Sequence, residues 1–118
     1  MEKLLGTPSA LITHWALPLI HGCGVQAGVD LYVFGSAIQN PATAADVDLI
    51  VIYEDVAELT MLRDCIERAG IGWLVDITAL TRREDLETGF RDAARSVLLA
   101  ELIAQKQKAQ TLRSEECL

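Results

Sequence analysis

Two aspartates separated by a single residue, Asp46 and Asp48, open the most apolar run of the chain, Val47 to Tyr53. Side chains alternate between faces along a strand, so both carboxylates point to one side, about 6.6 Å apart at the backbone. Carboxylates held together repel when neither is paired, and so apolar a run has no packing use for them. A hard divalent cation resolves the conflict. Magnesium takes one or two carboxylate oxygens and completes its shell with water and substrate phosphate oxygens. Two such ions about 4 Å apart clamp the attacking and the leaving oxygen of an in-line displacement. Asp76, within Leu74-Val75-Asp76-Ile77-Thr78, is a third carboxylate in apolar company, costly in mid-strand unless paired or metal-bound. It would ligate one ion and help activate an attacking hydroxyl, as a general base does.

Upstream, Gly35-Ser36 ends a short strand. A glycine there lets the backbone turn and approach a ligand closely. The amide and hydroxyl of Ser36 can then donate to a phosphate. Asp46, Asp48 and Asp76 are therefore the candidate catalytic and metal-binding residues, and Gly35 and Ser36 the candidate phosphate-binding ones. Plainer roles compete with these: a solvated strand start for the Asp46 and Asp48 pair, an edge-strand surface residue at Asp76, a turn cap at Ser36. A two-metal nuclease would use the same carboxylates, but no lysine stands near them. His14, His21 and Cys23 match no closed zinc spacing.

The elements that position these residues are legible from periodicity and punctuation. Met1 to Pro8 reads as a leader. Ser9 caps a helix starting near Ala10, with Leu11, Trp15 and Leu19 on one side, a kink or interruption at Pro18, and Gly22, Gly24 and Gly28 at its end. Leu31 to Phe34 is a short strand, followed by a turn or short helical loop over Ala37 to Ala45. Val47 to Tyr53 is the strongest strand, its near-continuous apolar run predicting cover on both faces. Asp55 and Glu58 form a capping box for a helix that buries Val56, Leu59, Leu62, Ile66 and Ala69 and stops at Gly70. Trp73 to Leu80 is the third strand. Thr81 and Glu84 cap a last helix from about Arg82 to about Lys108, with Leu86, Phe90, Ala93, Val97 and Ala100 on one face and a weak point at Gly89. Trp15 and Trp73 read as core. The predicted fold class is α/β, a small mixed β-sheet flanked by helices. The first two strands can be antiparallel, and the second and third parallel through a right-handed crossover. A single domain covers 1–118, with a core at about 10–104 and a tail over 105–118.

Composition narrows the function classes. A chain of 118 residues suits one domain. Ten basic against 17 acidic residues give a net charge of -7, which supplies no general attraction to nucleic acid or anionic membrane. A magnesium-bound nucleotide stays compatible, because the metal inverts the local charge. Ala10 to Val25 falls short of the roughly 20 residues of a membrane span, and its flanks do not suit a signal peptide. Cys23, Cys65 and Cys117 lie far apart in sequence and read as free thiols, which predicts a cytoplasmic protein.

The stretch Phe34-Gly35-Ser36, nine intervening residues, then Asp46-Val47-Asp48-Leu49 resembles the signature of the DNA polymerase beta-like nucleotidyltransferase superfamily, in its minimal nucleotidyltransferase branch. There a hydrophobic residue precedes Gly-Ser, and hydrophobic residues sit between and after the paired aspartates. The third carboxylate of that family, on a later strand, corresponds to Asp76. The resemblance covers roughly residues 10 to 100 and implies a nucleotidyltransferase-like fold. It implies transfer of a nucleoside monophosphate, AMP from ATP, to a hydroxyl, with two Mg2+ ions and release of pyrophosphate. Asp46 and Asp48 would hold both ions, Asp76 one, and Ser36 the outer phosphates. It also implies a helical protein partner, the toxin of a two-gene toxin–antitoxin pair, as acceptor. Members of the branch commonly carry arginine soon after Gly-Ser, whereas Ala37-Ile38-Gln39-Asn40 stands here. Arg82 or Arg83 could supply the missing cation. The alternative reading is a catalytically weak or inactive protein of the same fold, acting as a binding or regulatory subunit. Leu98, Leu99, Leu102 and Ile103 widen the apolar arc of the last helix, which predicts a homodimer or a docked partner at that helix.

Overall fold

The computed structural model describes residues 15–41 and 43–105. The leader, the Ser9 cap, His14 and Cys117 lie outside the described residues. In chain order the elements are α1 (Leu17–Ala27), β1 (Asp30–Phe34), α2 (Ser36–Gln39), β2 (Val47–Tyr53), α3 (Val56–Arg68), a 3-10 turn at Gly72–Leu74, β3 (Val75–Thr81), α4 (Arg82–Thr88), α5 (Phe90–Ala93) and β4 (Val97–Leu98). Residues 99–105 continue as helix α6. The strands form one sheet in the order β3-β2-β1-β4. β1 runs antiparallel to β2 and β4, and β2 parallel to β3. The protein is an α/β domain with a four-stranded mixed sheet flanked by helices.

β2 is central because its side chains are apolar on both faces: Val47, Leu49, Ile50, Val51 and Ile52 are all buried. The register sorts them. Leu31 and Val33 of β1 pair with Val51 and Leu49, and with Val47 they pack in one cluster with Leu17 and Ile20 of α1 and Leu62 and Ile66 of α3. This is the helix-covered face. On the other face the pairs form rows: Phe34, Asp48 and Asp76; then Tyr32, Ile50 and Thr78; then Asp30, Ile52 and Leu80. Segment α4 packs against β2 and β3, and Ile50 and Ile52 are closed off from solvent outside the main cluster.

Local signals hold where they are strongest. The capping boxes at Asp55 and Thr81 both form, with Glu58 and Glu84 returning the reciprocal bonds. Pro18 lies in the first turn of α1, directly after a π-helical turn at Trp15 and Ala16, so the regular helix is interrupted there as a missing amide allows; the expected helix start near Ala10 lies outside the described residues. Other expectations are corrected. Gly22 and Gly24 lie inside α1, and Gly28, left-handed at φ 77°, ends it. Trp73 belongs to the 3-10 turn and is 73% exposed, its Nε1 donating to the Gly70 carbonyl. Trp15, Val56 and Ala69 are exposed as well.

The largest correction concerns the expected helix from Arg82 to Lys108. Gly89 takes φ 63° and Arg95 φ 55°, and between α5 and α6 the chain drops into β4, where Val97 and Leu98 pair with Val33 and Tyr32. An open β1 edge offers unpaired backbone groups, and satisfying them outweighs continuing a helix. The apolar stripe is thereby divided among α4, α5, β4 and α6. Leu86 is 79% exposed, while Leu99 is buried. Leu102 and Ile103 pack partly against the core, so part of the arc expected at an interface serves the core. Among the described residues no helix is long and apolar enough to cross a membrane.

Cys23 and Cys65, expected as free thiols, are joined as a disulfide with Cα atoms 5.6 Å apart. They lie on α1 and α3, which pack side by side, a proximity that a sequence separation of 42 conceals. The bond staples the helical layer. Closing a loop of this length stabilises a fold by about 2–4 kcal/mol in the chain-entropy picture. Urea unfolding with and without reductant measures it: the reduced protein is expected to unfold at a lower midpoint, and coincident curves would remove the bond from the stability of the fold.

Candidate active site

Strand pairing decides where the candidate residues meet. Asp48 is in register with Phe34 of β1 on one side and with Asp76 of β3 on the other. Neighbouring strands lie about 4.8 Å apart, so Asp48 and Asp76 stand side by side on the face away from α1 and α3. Asp46 precedes β2 and is exposed; Asp48 is half-buried and Asp76 exposed. The Asp48 carboxyl is held above the usual aspartate range. Burial is the main cause, and the negative charges of Asp46 and then Asp76 add to it. The charges of Asp46 and Asp76 are thus both felt at Asp48.

Gly35 joins that locus through the backbone. It adopts φ 74° and ψ -145°, a conformation strained for any residue with a side chain. A Cβ there would lie 2.5 Å from Oδ2 of Asp48. Glycine is needed for the turn and for the close approach of the carboxylate together. Its carbonyl accepts from the amides of Ile38 and Gln39, which winds α2 directly after it and sets Ser36 at the first helical position. The structure therefore brings Gly35, Ser36, Asp48 and Asp76 to one end of the sheet, with Asp46 beside them.

The donor set fits some metals better than others. Among the described residues no group of three His, Cys, Asp or Glu side chains is arranged to hold a metal ion. A closed protein cage is therefore not built here. Carboxylates side by side, as Asp48 and Asp76 stand in register, suit a hard cation that keeps water and phosphate oxygens as its other ligands, which is the habit of magnesium. Cys23 is committed to the disulfide, so it forms no zinc site with His21. A polar cleft of about 370 Å³ reaches Asp76 from the α3 side, where Arg63, Asp64, Glu67 and Gly72 line it.

The cations also needed the structure. Arg82 bonds Asp30 at 3.3 Å and lies 3.7 Å from Glu54. Asp30 pairs with Ile52, four positions along β2 from Asp48, about 13 Å away. Arg82 therefore stabilises the opposite end of the sheet, and Arg83 pairs with Glu87. Neither supplies a cation to the carboxylates. The residue that sequence reasoning missed is Arg91. Its Nε donates to Oδ1 of the buried Asp85 at 2.7 Å, and its guanidinium lies 4.6 Å above the Tyr32 ring. The Asp85 hydrogen bond is the leading cause that raises its proton affinity. Next to it, Phe90 meets Phe34 edge to face at 5.7 Å. Asp85 and Arg91 are six residues apart across the bend at Gly89, a spacing that no helical rule pairs.

Two outcomes follow for stability. An aspartate whose proton affinity is raised by folding stabilises the fold only while protonated, and that contribution is lost as pH rises through its folded-state titration. Asp48→Asn is expected to raise the melting temperature at pH 7, with the gain vanishing below the ordinary aspartate range. A gain that persists in acid would reject the electrostatic account. Gly35→Ala is expected to cost about 1–3 kcal/mol of stability, measured by urea unfolding.

Comparison with protein-family models, with curated proteins and with solved structures finds no match to this chain.

Proposed function

We propose that the protein is a magnesium-dependent nucleotidyltransferase that moves a nucleoside monophosphate, AMP from ATP, onto a hydroxyl of a partner protein, in the manner of an antitoxin. One observation carries the reading: Asp48 lies against the backbone of Gly35 on one side and in register with Asp76 on the other. This contact unites the two halves of the Gly-Ser and Asp-x-Asp pattern, which are distant in sequence. The resemblance drawn from those residues supports the same conclusion.

Each residue has a role in that reaction. Asp46 and Asp48 would hold two magnesium ions, with Asp76 on one of them; the ions would neutralise the phosphates and favour the attacking alkoxide. Gly35 lets the turn close against the Asp48 carboxylate, and Ser36 donates its amide and hydroxyl to the outer phosphates. Asp76 orients the acceptor hydroxyl and takes its proton. The new bond joins the acceptor oxygen to the α-phosphorus, and the bond to pyrophosphate breaks. The chain's contribution is positioning and charge.

Calorimetric titration with ATP and magnesium tests the site. The wild type is expected to bind, and Asp48→Asn to bind about tenfold more weakly or worse, as loss of a charged ligand costs at least about 1.4 kcal/mol. Equal heats from both proteins would reject the assignment. The second reading, a binding or regulatory subunit on this fold, draws on the lack of arginine over residues 37–40. It predicts that Asp46→Asn and Asp48→Asn leave partner-dependent activity intact.

A further inference from the structure

We propose that Arg91, held by Asp85 and stacked on Tyr32, is an anion-binding residue of the carboxylate face and takes a phosphate of the nucleotide. The inference rests on the nucleotide reading of the Asp48 site. It adds a group from a different part of the chain.

The register locates it. Tyr32 sits one row from Phe34, Asp48 and Asp76, on the same face, and is a diagonal neighbour of Asp48 at about 7–8 Å. Phe90 on Phe34 and Arg91 on Tyr32 run α5 along β1, so the guanidinium lies over the row next to the one that holds Asp48. Its state is that of a prepared donor. Asp85, 6% exposed, engages Nε, and the aromatic ring supports the guanidinium plane. Among the described residues no acceptor takes Nη1 or Nη2, and a third of the side chain is open to solvent. A planar fork with one nitrogen anchored offers its remaining donors in a fixed direction, which suits the paired oxygens of a phosphate. The anchor also removes most of the rotamer entropy that a free arginine would lose on binding.

Arg82 and Arg83 are ion-paired beyond the far end of β2; Arg68 belongs to α3, Arg63 of the same helix lines the cleft that reaches Asp76, and Arg95 lies in the bend between α5 and β4. A polyphosphate drawn to this acidic face needs positive charge besides a metal, and the contacts of Arg91 with Tyr32 and Asp85 set a guanidinium on this face. A purely structural Asp85–Arg91 tie would join α4 to α5 without sensing a ligand.

The full chain is titrated with ATP and, separately, with inorganic triphosphate, each with magnesium. Wild type, Arg91→Lys, Arg91→Gln and Asp48→Asn are compared. Arg91→Gln is expected to weaken both ligands about tenfold or more, and Arg91→Lys to recover part of that loss. Arg91 variants that bind like wild type, beside an Asp48→Asn that does not, overturn the proposal and leave the nucleotide reading standing. The reverse pattern keeps the anion site and removes the carboxylate reading, and a wild type that binds neither ligand overturns both. A readout without substitution covers variants that fail to fold. Phenylglyoxal labelling of the wild type, mapped by peptide mass, is expected to slow at Arg91 when ATP and magnesium are present and to stay unchanged at Arg82 and Arg83. Equal labelling at Arg91 with and without ligand overturns the proposal.

Discussion

Everything at the candidate site depends on the register of β2 between its two neighbours. Val47, Leu49 and Val51 face the helical layer, and Asp48 alternates between them toward the other side. A slip by one residue would carry Asp48 into the core and the apolar residues out of it. Burying each valine or leucine is worth about 1.5–3 kcal/mol, and an unpaired carboxylate in the interior costs several more. The hydrophobic effect thus holds a charged group in position without touching it. The same register sets Asp76 beside Asp48 and Phe34 against it.

The two faces of the sheet are closed in different ways. The helical side is a continuous apolar cluster, with α1 and α3 linked by Cys23 and Cys65. The other side is covered by the short pieces α4 and α5, which meet the sheet through Phe90 on Phe34 and Arg91 on Tyr32. A complete apolar cover would have buried the carboxylates. The interrupted one leaves Asp46 and Asp76 exposed and Asp48 half-buried, while Ile50 and Ile52 remain closed off. The cost falls on Asp48, whose charged form is disfavoured by its burial and by Asp46 and Asp76. Excess negative charge at one locus is what a bound cation would balance.

The sequence by itself determined the features whose cause lies within a few residues. The strands over Leu31 to Phe34 and Val47 to Tyr53 follow from runs of branched and aromatic residues. Helix α3 follows from its Asp55–Glu58 cap and its three-and-four spacing of Leu59, Leu62 and Ile66. The spacing of Gly35-Ser36, Asp46-x-Asp48 and Asp76 was enough to nominate residues that the fold then gathers at one sheet end. Only the tertiary structure decided the rest. The stripe from Leu86 to Ala100 has helical period, yet an open edge of β1 claims Val97 and Leu98, because backbone pairing with a strand more than 60 positions earlier leaves no periodic trace. The Cys23–Cys65 bond and the Asp85–Arg91 pair arise because helices and bends bring together residues that no local rule relates. Trp73 lies outside the core because the chain is still in a 3-10 turn where it occurs. Propensity and periodicity report the preferences of a segment, whereas edge pairing, cross-layer bonds and the siting of a cation depend on which segments meet.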